Sequence, residues 1–317
     1  STVFKNGLII LVLAALLPWV YQFTKFADYL TYITVRIMIL GLYAMSYDLI
    51  FGYTGLFSFG HASFMASGAY AVAILMRQLG LPINDAFSGI LAAMLAGLII
   101  GLFMGFLASR LGSHLAVFLV TFAITETLFL LTVVDPLNFT GGENGIAGIP
   151  RETFLGFFSI KSEINFFYLT LLLLSLAFLI LRLIIHSSFG DTLQAIRENP
   201  QRVQFLGYNI RHYRIVAFMI SGFFASLAGA LTALHEQSVG PEMFAMYVSG
   251  DAFIYTVLGG AGTLVGPLMG TVLMVVAQEV LSYLFHNWLL FVGIIYIGLI
   301  IFMPKGLFPL FSRQRSN

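Results

Sequence analysis

The sequence predicts an all-α integral membrane protein, a polytopic helical bundle of about eight to ten spans with broken or re-entrant segments. Three observations predict it. Of 317 residues, 59% are hydrophobic and only 9% charged, against about a quarter charged in a soluble domain. Apolar runs long enough for a helix to cross a bilayer recur along the chain. Glycine-rich stretches then interrupt that pattern, and backbone freed from a helix at membrane depth must be buried in protein or line a cavity. The 15% aromatic content, with 32 Phe, suits lipid-facing and interfacial surfaces.

A spanning helix needs about 20 mostly apolar residues. By that rule spans fall near 7–24, 29–50, 61–79, 86–109, 115–134, 165–185, 214–235, 246–258, 263–285 and 288–303. Lys5 and the run from Gly7 to Val20 resemble a secretory signal. The run continues into Trp19, Tyr21 and Phe23 without a small-residue cleavage site, so a retained first span is expected. Segment 246–258 is short and carries Asp251. The whole chain, 1–317, reads as a single transmembrane domain with an external loop at 135–164 and a cytoplasmic loop at 186–214.

Orientation follows from the positive charges in the loops. With a cytoplasmic N-terminus, Lys5, Arg110, Arg182, Arg197, Arg202, Arg211, Arg214, Lys305, Arg313 and Arg315 lie inside. Lys25, Arg77, Arg151 and Lys161 lie outside, and Arg36 sits within a span. Both termini are then cytoplasmic. In the inner loop, Asp191 to Asn199 reads as a short amphipathic helix stopped by Pro200. Leu193, Ile196, Val203, Phe205 and Leu206 supply its apolar contacts, and Gly207 ends a second short helix.

Two glycine-rich breaks are the places to look for function. The first runs from Asp48 through Gly52, Tyr53, Thr54, Gly55, Ser58 and Gly60 to His61. The second runs from Leu258 through Gly259, Gly260 and Gly262 to Gly266, Pro267 and Gly270. Paired breaks of this kind point to a transport site, because half-helix ends aim partial charges into a cavity. Tyr53, Thr54, Ser58, His61, Gly259, Gly260 and Gly262 are the expected path residues. The alternative for the first break is a plain interfacial loop between two spans, and for the second it is tight helix packing by small residues. Gly97, Gly101 and Gly105 recur every four residues on one helix face and read as packing.

Charges inside spans are costly and face the bundle interior or a cavity. Glu126, Asp251 and Glu279 are the candidates, with Arg36, Asp48 and His114 nearby in the same class; Asp48, Asp251 and His114 fall near helix ends, where an interfacial position accounts for them. A gradient-driven secondary transporter would couple through Glu126 and Asp251. Several chemistries are excluded. Net charge is +1, which gives no field for nucleic acid. The absence of Cys removes disulfides, thiolate metal sites and cysteine nucleophiles. There is no phosphate-binding loop and no His-Glu-x-x-His pair. No metal site, catalytic constellation or ATP hydrolysis is expected in this chain.

The motifs together resemble a known family. Gly52-Tyr-Thr-Gly-Leu-Phe-Ser-Phe-Gly-His-Ala62, Gly68-Ala-Tyr70, Thr140-Gly-Gly-Glu-Asn-Gly145, Ala195-Ile-Arg-Glu-Asn199, Gly207-Tyr-Asn-Ile210, Ser221 to Leu231, Val257 to Pro267 and Pro304 to Leu307 occur in order. This series resembles the permease family of branched-chain amino acid ABC importers, LivM type, over roughly residues 30–308. The resemblance implies a bacterial inner-membrane permease working by alternating access. Its implied partners are a second homologous permease, two cytoplasmic ATPase subunits that hold ATP and Mg, and a periplasmic binding protein. It implies that the 186–214 loop docks in an ATPase cleft. Leu193 and Ile196 would be the apolar anchors, Arg197 and Glu198 the ion contacts, with Ala195, Asn199 and Gly207 shaping the segment. Leucine, isoleucine and valine are the implied cargo. Related permeases carry urea, short amides or other amino acids, and an apolar path would also pass urea.

Overall fold

A computed structural model describes residues 14–21, 25–78 and 85–302. In chain order its helices are α1 (Ala27–Asp48), α2 (His61–Ala73), α3 (Ala86–Ala108), α4 (His114–Val134), α5 (Glu163–Ile185) and α6 (Ser188–Glu198). There follow α7 (Pro200–Phe205), α8 (Ile210–Glu236), α9 (Met246–Gly259), α10 (Val265–Leu284) and α11 (Trp288–Phe302). A π-helical turn, Leu49–Tyr53, prolongs α1, and another, Ile74–Gln78, prolongs α2.

The all-α polytopic class holds, with segment lengths that differ from the expected set. Among the described residues six helices are long and apolar enough to cross a membrane: α1 with its π-turn, α3, α4, α5, α8 and α10. α2, α9 and α11 have 13, 14 and 15 residues, against about 20 for a crossing. The expected first span at 7–24 lies mostly outside the described residues, of which 14–21 is helical.

The long helices divide into a centre and a rim. In the most apolar stretches of α1 and α8, 72% and 67% of residues are buried, against 33% in α3 and 22% in α4. α8 packs on α1, α2 and α3, while α1 also contacts α5, α9 and α10. Small residues allow this closeness. A methyl group on Gly101 would lie 2.6 Å from the Phe218 carbonyl oxygen, and one on Gly105 would lie 3.0 Å from Ile215 Cα. Gly97 likewise meets the Gly222 carbonyl and Ser226. The four-residue glycine repeat of α3 therefore lies against α8, where backbone approaches backbone.

Short strands tie the loops at one end of the bundle. β1 (Ile146–Ala147) pairs antiparallel with β4 (Ser238–Val239), and β2 (Thr153–Phe154) pairs with β3 (Phe158–Ser159). Asp135 ends α4 in the left-handed conformation, with φ of 46°. Its carboxylate accepts the backbone N–H groups of Phe139 at 2.8 Å, Thr140 at 3.1 Å and Gly141 at 2.9 Å. The glycine-rich loop expected from sequence is thus wound around one carboxylate. Gly145, at φ of 65°, admits the Val239 carbonyl where any side chain would collide.

Candidate functional site

The two glycine-rich breaks meet. At the first, α1 ends in the π-turn and seven residues, Thr54–Gly60, precede α2 without helix. Thr54, Ser58 and His61 are buried. Hydroxyl groups satisfy the freed backbone. Phe59 N–H donates to Thr121 Oγ1 at 3.2 Å, and Ala62 N–H donates to Ser249 Oγ at 2.9 Å. Ser249 Oγ in turn donates to the Phe59 carbonyl at 2.8 Å. Such closure is what a non-helical segment inside a membrane bundle requires. His61 Nε2 shares a hydrogen bond with Ser46 Oγ at 2.9 Å, and its ring packs on Tyr43, Tyr47 and Phe64.

At the second break, Gly260 and Gly262 take φ of 110° and 80°, a region that side chains disfavour. Thr263 Oγ1 donates to the Gly260 carbonyl and accepts from the N–H of Gly266, in the first turn of α10. Gly259 meets the Gly266 carbonyl too closely for any side chain.

Asp48 joins the two. It is fully buried, and Oδ1 accepts the N–H of Gly262 at 2.7 Å while Oδ2 accepts that of Leu264 at 3.2 Å. Leu264 is held at φ of 58°, unusual for a branched residue. Its N–H bond to Asp48 secures that conformation. Gly52 leaves room for the arrangement, since a methyl group there would strike both the Asp48 carboxylate and Gly262 N. Asp48 lies at the end of α1, as the sequence places it, and there it is buried in protein. A carboxylate is affordable here because two fixed N–H groups replace its water.

The loop segment reaches the same point. α6 buries Leu193 and Ile196 in this chain's own bundle. These two residues, expected as anchors for an ATPase, anchor α6 to the bundle instead, because its apolar face needs cover and the bundle supplies it. Arg197 extends from α6 and donates through Nη1 to the Gly52 carbonyl. Its stem covers Gly55, whose φ of 72° and lack of side chain admit Arg197 Cγ. Arg197 is exposed, as expected of a surface residue, and it also bridges the loop to the first break. Glu198, Asn199 and Gly207 are exposed and Ala195 is partly buried. Asn199 caps α7, accepting Arg202 N–H at 3.0 Å, and Gly207 takes φ of 90°. Beside them Phe205 and Leu206 are 90% and 72% exposed.

The other expected polar residues separate. Arg36 Nη1 pairs with Glu279 Oε1 at 3.1 Å, and Tyr29 also donates to Glu279. Asp251 lines a cavity with Arg36. Glu126 is partly exposed on the rim helix α4 and joins none of these groups. Tyr53 is buried at the first break, beside Thr54. Among the described residues no cluster of metal-binding side chains occurs.

The family model for the branched-chain amino acid transport system permease component matches residues 29–304. The chain belongs to this permease family. It is 28% identical to the high-affinity branched-chain amino acid transport system permease protein LivM of Escherichia coli strain K12, over 99% of this chain and 77% of that protein. The LivM of Salmonella typhimurium gives the same identity and coverage. A probable LivM of Methanocaldococcus jannaschii is 26% identical over 57% of this chain and 56% of its own length. No solved structure matches the chain. For a permease of this family, sequence reasoning found both breaks and the loop segment. It missed Asp48 as their staple, although an acid next to a glycine break was a visible signal.

Proposed function

We propose that this permease forms the membrane path of an ATP-driven importer for leucine, isoleucine and valine in a bacterial inner membrane. In this reading it pairs with a second homologous permease. Two cytoplasmic ATPases bearing ATP and Mg drive the pair, and a periplasmic binding protein delivers cargo. The 186–214 segment lies on the cytoplasmic side, and the loop of 135–164 lies on the other.

One observation carries the reading: Arg197 connects α6 to the first break, and Asp48 connects the first break to the second. A push on α6 is thereby delivered to two buried, non-helical segments rather than to a helix flank. That is the link alternating access needs between a nucleotide-driven subunit and a path. The exposed Phe205 and Leu206, with Glu198 and Asn199, form the face that meets the ATPase. Tyr53, Thr54, Ser58, His61, Gly259, Gly260 and Gly262 are proposed to line the path when the breaks open. In the structure Tyr53, Thr54, Ser58, His61, Gly259 and Gly260 are buried and Gly262 is partly so.

The test is to tag the chain, extract its complex in mild detergent and identify the co-purifying subunits by mass spectrometry. A second polytopic permease and ATPases with phosphate-binding loops are expected. The complex, reconstituted with its binding protein, should take up leucine and not urea when ATP is supplied. A chain that purifies repeatedly without any ATPase would overturn the reading.

A further inference from the structure

The glycine contacts between α3 and α8 fix where the two helices end. Gly97 meets Gly222 and Ser226, Gly101 meets Phe218, and Gly105 meets Ile215. The helices therefore run antiparallel, and the end of α3 lies against the start of α8. At that shared end Ser109, Arg110, Tyr208, Asn209, Arg211 and Arg214 line an open pocket of about 620 Å³. Both helices are long and apolar enough to cross a membrane, which puts the pocket at the level of the lipid headgroups.

The pocket is positive and has no counter-charge of its own. No carboxylate lines it. None of its three arginines makes an ion pair or a side-chain hydrogen bond among the described residues. Arg110 and Arg211 are exposed and are served by water, whereas Arg214 is partly buried and its Nε is closed off without a partner. A guanidinium withdrawn from water needs acceptors, and its fork of N–H groups matches a phosphate. The positive end of α8 adds to the same field. Positive charge gathers on cytoplasmic loops in general, but that bias asks only for exposed side chains. It does not ask for a concave, acid-free group that holds one arginine partly out of water. The neighbouring surface is apolar. The Arg110 guanidinium lies over the Phe106 ring, 4.0 Å from its centroid. Phe106 and Phe103, about one turn apart on the rim helix α3, are 43% and 55% exposed, and in a bilayer that surface meets acyl chains. A basic pocket between membrane helices, opening beside such a surface, matches a molecule with an anionic head and apolar tails.

We infer that this pocket binds the headgroup of an anionic phospholipid from the surrounding bilayer. Arg110, Arg211 and Arg214 donate to the phosphodiester oxygens, and the acyl chains lie along Phe103 and Phe106. The lipid then ties the end of α3 to the start of α8, where the 186–214 segment rejoins the bundle. A zwitterionic phospholipid carries the same phosphate together with an ammonium that these arginines repel, so the site prefers a headgroup of net negative charge. The inference requires a bilayer and is independent of the cargo and of the energy source.

The experiment takes the purified permease with the subunits that accompany it, depletes it of lipid in detergent, and titrates it with phosphatidylglycerol or phosphatidylcholine of equal chain length. Native mass spectrometry reads bound lipid, and a thermal scan reads stability. Phosphatidylglycerol is expected to bind about tenfold or more tighter than phosphatidylcholine and to raise the thermal midpoint. Arg214→Gln and Arg211→Gln should each reduce that preference about fivefold. Arg202→Gln, which removes an equal charge outside the pocket, should leave it unchanged. Arg211 is exposed, so its variant keeps the test open should Arg214→Gln fail to fold. Equal affinity for the two lipids, an undiminished preference in the folded pocket variants, or an equal loss in Arg202→Gln would overturn the inference. So would inorganic phosphate raising the midpoint as far as phosphatidylglycerol does, which would make the occupant a free anion. Loss of an accompanying subunit from the pocket variants with the lipid preference intact would assign the arginines to a protein partner instead.

Discussion

Asp48 has two jobs that depend on its charge. Both oxygens accept N–H groups from the second break, at 2.7 and 3.2 Å. A hydrogen bond to a charged group contributes about 1.5–3 kcal/mol. Asp48→Asn keeps the shape but turns an NH2 group toward one of those donors. We expect the complex to assemble and ATP-driven uptake to drop at least about tenfold, measured per assembled complex. Uptake at the native rate would remove Asp48 from the mechanism. Asp135 offers a second residue-scale test, outside the spans. Desolvation pushes its carboxyl up, but the N–H groups of Thr140, Phe139 and Gly141 outweigh that and hold it below the ordinary value. A depressed carboxyl gives stability that is complete above the unfolded pKa of about 3.9. That stability is lost as pH falls through the lower folded value. Hydrogen-exchange protection at 139–141 should therefore hold down to about pH 4 and fall below it. In Asp135→Asn the fall should vanish; a fall at unchanged pH would mean another group controls the loop.

At the scale of elements, α6 and α7 divide their labour. Leu193 and Ile196 hold α6 to the bundle, while Phe205 and Leu206 are exposed beyond it. Large apolar side chains at an interface centre commonly carry more than about 1 kcal/mol each. The double variant Phe205→Ser, Leu206→Ser should thus keep the permease folded yet reduce ATPase co-purification about tenfold. Full retention of the ATPase would move the docking face elsewhere. The α3–α8 contact is tested by Gly101→Leu. Its first added carbon would meet Phe218 carbonyl oxygen at 2.6 Å and Met219 Cα at 2.9 Å. Overpacking costs about 1–3 kcal/mol, and more where backbone is the obstacle. The thermal midpoint in detergent should fall clearly. Gly112→Ala, where the added carbon meets nothing within 4 Å, is the control.

For the whole molecule, the energy source is the question that sorts the transport classes. Glu126 sits on rim helix α4 away from both breaks, so it is poorly placed to couple an ion to them. Asp251 faces the cavity with Arg36 and not the staple. We expect uptake in proteoliposomes to continue when proton and sodium gradients are collapsed and to stop when ATP is withheld. Uptake that instead follows a gradient without any ATPase would return weight to a secondary transporter.

How much was legible follows from which forces act locally. A lipid solvent leaves its mark residue by residue, so apolar content and repeated long runs disclosed an all-α polytopic chain. Glycine clusters disclosed the breaks, because only glycine tolerates φ of 80° or 110° with backbone at close range. The amphipathic pattern of 191–199 disclosed α6, Pro200 its boundary with α7, and Gly207 the end of α7. Which face of α6 turned inward was not legible, since Leu193 and Ile196 are equally suited to a partner protein or to their own bundle. Crossing number was not legible either, because an apolar segment of 13 or 14 residues looks the same buried in protein as in lipid. Asp48, Arg197 and the Arg36–Glu279 pair depend on partners 214, 145 and 243 residues away. The sequence by itself determined the solvent, the helical class and the sites of broken backbone, all set by local composition. Tertiary structure alone decided which charges meet, because burying a charge is tolerable only where distant residues supply its hydrogen bonds.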